Sequence, residues 1–159
     1  MNFNQFLFEA EEEEKNIQAM LKKLPKKHAA LMKGFKFKYV PGNTLKGDNA
    51  HIGLIKGKTV TVAGPWNYGR EFTTLHEVAH MVFEKLVTPQ IKKKWEALLK
   101  ETKPKHIKEL KSKGMKTDAL DQGAEELFCM AYAATYAKHP TVIYHCSEWV
   151  DFIKNQVPK

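Results

Sequence analysis

Residues 70–85 read REFTTLHEVAHMVFEK, and the spacing of their apolar positions decides how the rest of the chain is arranged around them. Leu75, Val78, Ala79, Val82 and Leu86 recur at intervals of three and four, the period of one helical face, so a helix is expected from about Glu71 to Val87. Within it, His76-Glu77-Val78-Ala79-His80 puts two imidazoles at i and i+4, on one side of the helix and within reach of a single metal ion. Neutral imidazole suits zinc, which imposes no d-electron geometry of its own. Glu77 stands beside that face, able to take a proton from a metal-activated water without being a ligand. The cofactor expected from this pattern is one Zn2+ per chain.

Working outward, Thr59–Ala63 and His51–Ile55 flank Lys56-Gly57-Lys58 and are expected to form a hairpin, which Gly64-Pro65 breaks. Phe35, Phe37 and Tyr39 alternate with Lys36 and Lys38, the pattern of a half-buried strand, ended by Pro41-Gly42. Glu9 to Leu24 reads as a helix: Glu9 and Glu11 to Glu14 open it, Lys22 and Lys23 close it, and Pro25 stops it. Its apolar stripe is Ile17, Met20, Leu21 and Leu24. Downstream, Pro89 and Pro104 are expected to divide a lysine-rich stretch into two short helices, ended by Gly114. Asp118 or Asp121 is expected to cap a helix running to about Lys138, before Pro140. Ser147 is expected to cap a last amphipathic helix carrying Trp149, Val150, Ile153 and Val157. The fold class is α+β: a single domain over residues 1–159, with a small N-terminal-side β-sheet packed on the HExxH helix and helices toward the C-terminus.

Composition bounds the alternatives. At 159 residues, 43% hydrophobic and 11% aromatic, the chain can build a core, which excludes wholesale disorder. No apolar run approaches the ~18–20 residues that span a bilayer, so no membrane partner is expected. MNFNQFLFEAEEEE has no basic n-region and does not read as a signal peptide. Cys129 and Cys146 lie apart without a CxxC, which favours neither a disulfide scaffold nor a thiolate zinc site and fits a reducing cytoplasm. Between Lys85 and Lys116 there are eleven lysines against three glutamates, a surplus of +8 that equals the net charge of the whole chain. This stretch reads either as a solvated helical insertion, peripheral to the metal and free to loop out, or as a docking surface for nucleic acid or an acidic partner. Its one aromatic, Trp95, gives little support to base stacking.

Two histidines leave zinc short of a third protein ligand. The continuation HExxHxxGxxH is absent, because Phe83 and Leu86 occupy the glycine and last histidine positions. Glu125 and Glu126, in GAEELFCMAYAATY, are the candidates from a second helix. Adjacent helical positions differ by about 100°, and periodicity barely separates the two. His106, His139 and His145 are expected at the surface.

REFTTLHEVAHMVFEK followed by EELFCMAYAATYAKHP resembles the glutamate-type zincins (gluzincins), in particular phage and prophage metallopeptidases, ImmA/IrrE-type proteases and the catalytic domain of anthrax lethal factor. The likeness covers about residues 50–140 and is specific at the two helices. It implies a zincin-like fold, a phage-encoded or bacterial cytoplasmic setting, and peptide-bond hydrolysis on a peptide or protein substrate. His76, His80 and Glu126 would be the zinc ligands and Glu77 the general base, with Glu126 placed by alignment of ELFCMAY with the ExFAEAF-like run of lethal-factor-type domains. Where that pattern has a second glutamate and an earlier tyrosine, this chain has Met130 and Ala119. Tyr132, Tyr136, Tyr144 and His145 are then the candidate oxyanion donors, and the strand Thr59–Ala63 is expected to offer an edge to an extended substrate. The rival expectation is a zincin-fold module that binds without cleaving, docking nucleic acid or a virion or other partner protein through its basic segment.

Overall fold

Residues 12, 15–40, 53–63, 68–137 and 142–159 are described by the computed structural model of the chain. The expectations at Pro41-Gly42, His51, Gly64-Pro65, Lys138, His139 and Pro140 lie outside the described residues. The chain divides into two compact units, Met1–Glu77 with Lys159, and Val78–Pro158.

In the first unit, residues 15–22 form helix α1; of the expected stripe Ile17 and Met20 are buried, Leu21 is only partly covered, and Leu24 is buried just beyond the helix, while the expected start at Glu9 and Glu11 lies outside the described residues. Pro25 starts the short helix α2 (Lys26–Leu31), which encloses His28 completely. Gly34, at φ +80°, supplies the left-handed turn that leads into β1 (Lys36–Val40). Strands β2 (Gly53–Lys56) and β3 (Thr59–Ala63) form the expected hairpin around Gly57, whose φ is +61°. Val60 and Val62 are buried while Thr59 and Thr61 are half-exposed, the alternation of a one-sided sheet.

The strand order is β1-β3-β2, with β3 parallel to β1 (Phe37 opposite Val60) and antiparallel to β2 (Ile55 opposite Val60). This corrects one expectation. Both sides of Thr59–Ala63 are hydrogen-bonded to neighbours, so β3 has no free edge for a substrate strand. The edges of the described sheet are β1 and β2.

Helix α3 (Tyr68–Lys85) carries the HExxH segment and crosses the division between the units without a break. In the second unit, helix α4 (Pro89–Ser112) starts at Thr88, whose hydroxyl accepts the Ile91 N–H at 3.3 Å, with Pro89 in the first turn, where a missing N–H costs nothing. Contrary to expectation, Pro104 does not split this segment: α4 runs 24 residues through it. An interior proline costs ~3 kcal/mol. One face of α4, made of Trp95, Leu99, Thr102, His106 and Leu110, is buried, and its packing offsets that cost. The lysine-rich stretch is therefore structural on one side rather than an insertion that loops out.

Neither Asp118 nor Asp121 caps α5. They lie in a 3₁₀ turn (Asp118–Asp121), and α5 (Ala124–Ala137) begins three residues later, with the Leu127 N–H donating to the Gly123 carbonyl at 3.0 Å. Nor does Ser147 cap α6 (Ser147–Gln156): the N-cap is Cys146, and the Ser147 hydroxyl donates to the Glu148 carboxylate at 3.3 Å.

Helices α4, α5 and α6 meet around Trp95, which is fully enclosed. Its ring lies 5.8 Å from Phe128, 6.0 Å from Trp149 and 5.2 Å from Phe152. The indole nitrogens of this core are matched. Trp95 Nε1 donates to the Ala124 carbonyl at 2.7 Å, Trp149 Nε1 to Thr102 Oγ1 at 2.8 Å, and that hydroxyl to the Leu98 carbonyl at 2.7 Å. Among the described residues no helix is long and apolar enough to cross a membrane.

Candidate metal centre

Helix α3 is anchored by Leu75, Val78, Ala79 and Val82, all fully buried. On the same helix, His76 and His80 are only partly covered. Glu77 is 8% exposed, an unusual position for a carboxylate unless it has partners or a task.

Helix α5 brings the other donors. Its body is apolar and buried from Leu127 to Cys129 and from Ala131 to Ala134, so the two glutamates stand at its first turn. His80 meets both, one at each ring nitrogen. Its Nδ1 lies 3.0 Å from Glu125 Oε1, and its Nε2 lies 3.5 Å from Glu126 Oε1. The carboxylates are about half exposed, so they are not desolvated charges in need of neutralisation.

Among the described residues, His76, His80 and Cys129 form one group whose potential ligand atoms all lie within 4.8 Å of one another. Cys129 is the member that sequence reasoning missed. Its signal was available: it stands four residues after Glu125 and three after Glu126, on the same side of one helix. Both cysteines are free thiols and buried. At Cys146, burial together with the charges of Glu148 and Glu109 pushes the thiol up to about 12.

The donors fit zinc on two counts. Imidazole, carboxylate and sulfur are its protein ligands, and donors sharing one tetrahedral zinc lie ~3.2–3.6 Å apart, the separation found between His80 Nε2 and Glu126 Oε1. A carboxylate on the other ring nitrogen, as Glu125 is, is the usual means of fixing the orientation of a ligating histidine.

The remaining expected residues are dispersed. Tyr132 is fully enclosed, 4.7 Å from the half-buried ring of Tyr136, and burial raises both phenols above their ordinary range. Tyr144 and His145 are exposed in the turn after α5. His106, expected at the surface, is buried instead, its ring edge-on to Trp149 and its Nε2 3.1 Å from Glu148 Oε2, off the angle of a hydrogen bond. The α4 periodicity explains this, since His106 falls on the same face as Trp95 and Thr102.

Comparison of the chain with protein-family models, with curated proteins and with solved structures finds no match.

Proposed function

We propose that the chain is a zinc-dependent peptidase of the glutamate-zincin type, with His76, His80 and Glu126 as zinc ligands and Glu77 as general base. The observation that carries this reading is the arrangement around His80. One carboxylate orients the imidazole through Nδ1 while a second stands at Nε2 at a co-ligand separation. The likeness of the two helical segments to the zincin pattern supports it.

When bound, zinc supplies Lewis acidity and lowers the pKa of a water toward ~7. The protein's own part is orientation and proton handling. Glu125 accepts the Nδ1–H of His80, which fixes the tautomer and leaves Nε2 for the ion. Glu77, nearly enclosed yet one position from His76, accepts the proton of the attacking water and returns it to the leaving amine. The substrate is a peptide or protein, bound elsewhere than along β3.

The test pairs metal analysis with a variant of the base. Purified protein should hold about one zinc per chain, and Glu77→Gln should retain zinc and fold while losing hydrolysis of a peptide library. A folded protein that cannot be loaded with zinc overturns the reading.

A second reading is a zincin-fold module that binds without cleaving. It is favoured by the solvent side of α4, where Lys93, Lys100, Lys108 and Lys111 are all exposed along ~27 Å of helix, a cationic strip suited to nucleic acid or an acidic protein. Equal inertness of the wild type and Glu77→Gln, with binding that weakens steeply from low to physiological salt, would favour it.

A further inference from the structure

Cys129 has no place in the donor set above, yet its sulfur is the atom that converges with the two imidazoles. Its position is fixed by the fold. Phe128 and Leu127 beside it are buried, and Phe128 packs at 4.9 Å on Phe83 of α3 and at 5.8 Å on Trp95 of α4. That packing locks the rotation of α5 about its axis. With the rotation fixed, Glu126 and Cys129, separated by three residues, fall on the side that faces His80. His76, His80 and Cys129 thus converge within 4.8 Å, while Glu126, three residues before Cys129, lies outside that group and stands 3.5 Å from His80 Nε2.

We propose that the Cys129 sulfur is a fourth protein donor to the same ion, completing with His76, His80 and Glu126 a closed site. The inference rests on the zinc reading above and changes its meaning. Three protein ligands leave a position for water, whereas four are the mark of a site shut at rest. It also sets the metal preference, because sulfur favours zinc, cobalt and cadmium over the hard ions magnesium and calcium. Histidine nitrogen and cysteine sulfur on one zinc stand ~3.6 Å apart, and in the metal-free chain the three ligand atoms already lie within 4.8 Å of one another.

The experiment is replacement of zinc by Co2+ in the full chain, read by absorption, beside zinc affinity by competition with a chelator. The wild type should show sulfur-to-cobalt charge transfer in the near ultraviolet. Cys146→Ala should keep the band, and Cys129→Ala and Cys129→Ser should lose it. Cys129→Ala should also weaken zinc binding by more than the ~10–100-fold that loss of an outer partner costs. At full zinc occupancy its hydrolytic rate should rise, because a position has been opened.

Cobalt bound without the band, or a band that survives Cys129→Ala, would overturn the sulfur donor and leave the three-ligand peptidase standing. A hydrolytic rate that falls with Cys129 at full occupancy would also overturn the closed site. Failure of the wild type to bind cobalt or zinc at all would instead overturn the zinc reading itself. Because the wild type and Cys146→Ala already decide whether sulfur ligates, poor folding of a Cys129 variant does not remove the test.

Discussion

Replacing Trp95 by alanine should unfold much of the second unit's margin of stability, although Trp95 lies in the middle of the most highly charged stretch of the chain. The side chain is wholly enclosed and touches three other aromatic rings. Truncating a buried tryptophan or phenylalanine to alanine costs ~3–5 kcal/mol, and the lost bond from Nε1 to the Ala124 carbonyl adds ~1 kcal/mol. A loss of about 4–6 kcal/mol compares with a total stability of ~5–15 kcal/mol for an ordinary domain. Trp95→Phe keeps an aromatic ring and loses the hydrogen bond, so its cost should be about 1–2 kcal/mol. By contrast, Lys93→Ala, Lys100→Ala and Lys108→Ala, on the exposed face of the same helix, should each stay within ~0.5 kcal/mol. Urea titration followed by far-ultraviolet circular dichroism compares the five variants with the wild type, and thermal midpoints should fall by roughly 2–4 °C per kcal/mol. If Trp95→Ala unfolds with the wild-type midpoint, α4 is not part of the core and the reading of this segment as one-sided structure is wrong.

Three further outcomes are expected. Glu126→Ala should release zinc far more readily than Glu125→Ala, whose loss should cost only the ~10–100-fold of an orienting partner; the reverse order by chelator competition would exchange their roles. Glu77→Gln should bind zinc like the wild type and show no measurable peptide hydrolysis, a pairing that metal analysis and a fluorogenic peptide library read together. The Glu148 carboxyl is held below its ordinary value of 4.5, first by its own backbone N–H at the start of α6 and further by His106, Ser147 and Lys105. A carboxyl depressed on folding contributes stability above its unfolded pKa and loses it as the pH falls through the folded one. Wild-type stability should therefore drop from about pH 4.5 downward, and Glu148→Gln should flatten that part of the curve in urea midpoints taken against pH.

The sequence made the helix of His76 and His80 legible because apolar spacing and metal spacing are both local properties of one helix. The hairpin of β2 and β3 was equally local, fixed by Gly57 at its turn. What could not be read was pairing at a distance. The parallel union of β1 with β3 joins strands that are not consecutive in the chain, β2 coming between them, and alternation says which face is buried without saying which neighbour completes the sheet. The unbroken α4 was hidden for another reason. Pro104 is a local signal for a break, and it was overruled by a buried face whose partners, Phe128, Trp149 and Phe152, lie far along the chain.

The pair Glu125-Glu126 shows how local ambiguity can dissolve in three dimensions. On a helix, adjacent residues diverge by about 100°, which forces a choice between them when the partner offers a single point of contact. An imidazole, however, offers two nitrogens on opposite sides of one ring. Set against the first turn of α5, the ring of His80 receives Glu125 on Nδ1 and Glu126 on Nε2, so the divergence that separates the carboxylates matches the divergence of the nitrogens. Both glutamates therefore meet the one imidazole. The same rotation brings Cys129 under the pair, since it falls between their directions when the helix is viewed down its axis. The arc of α5 turned toward His80 carries Glu125, Glu126 and Cys129 together.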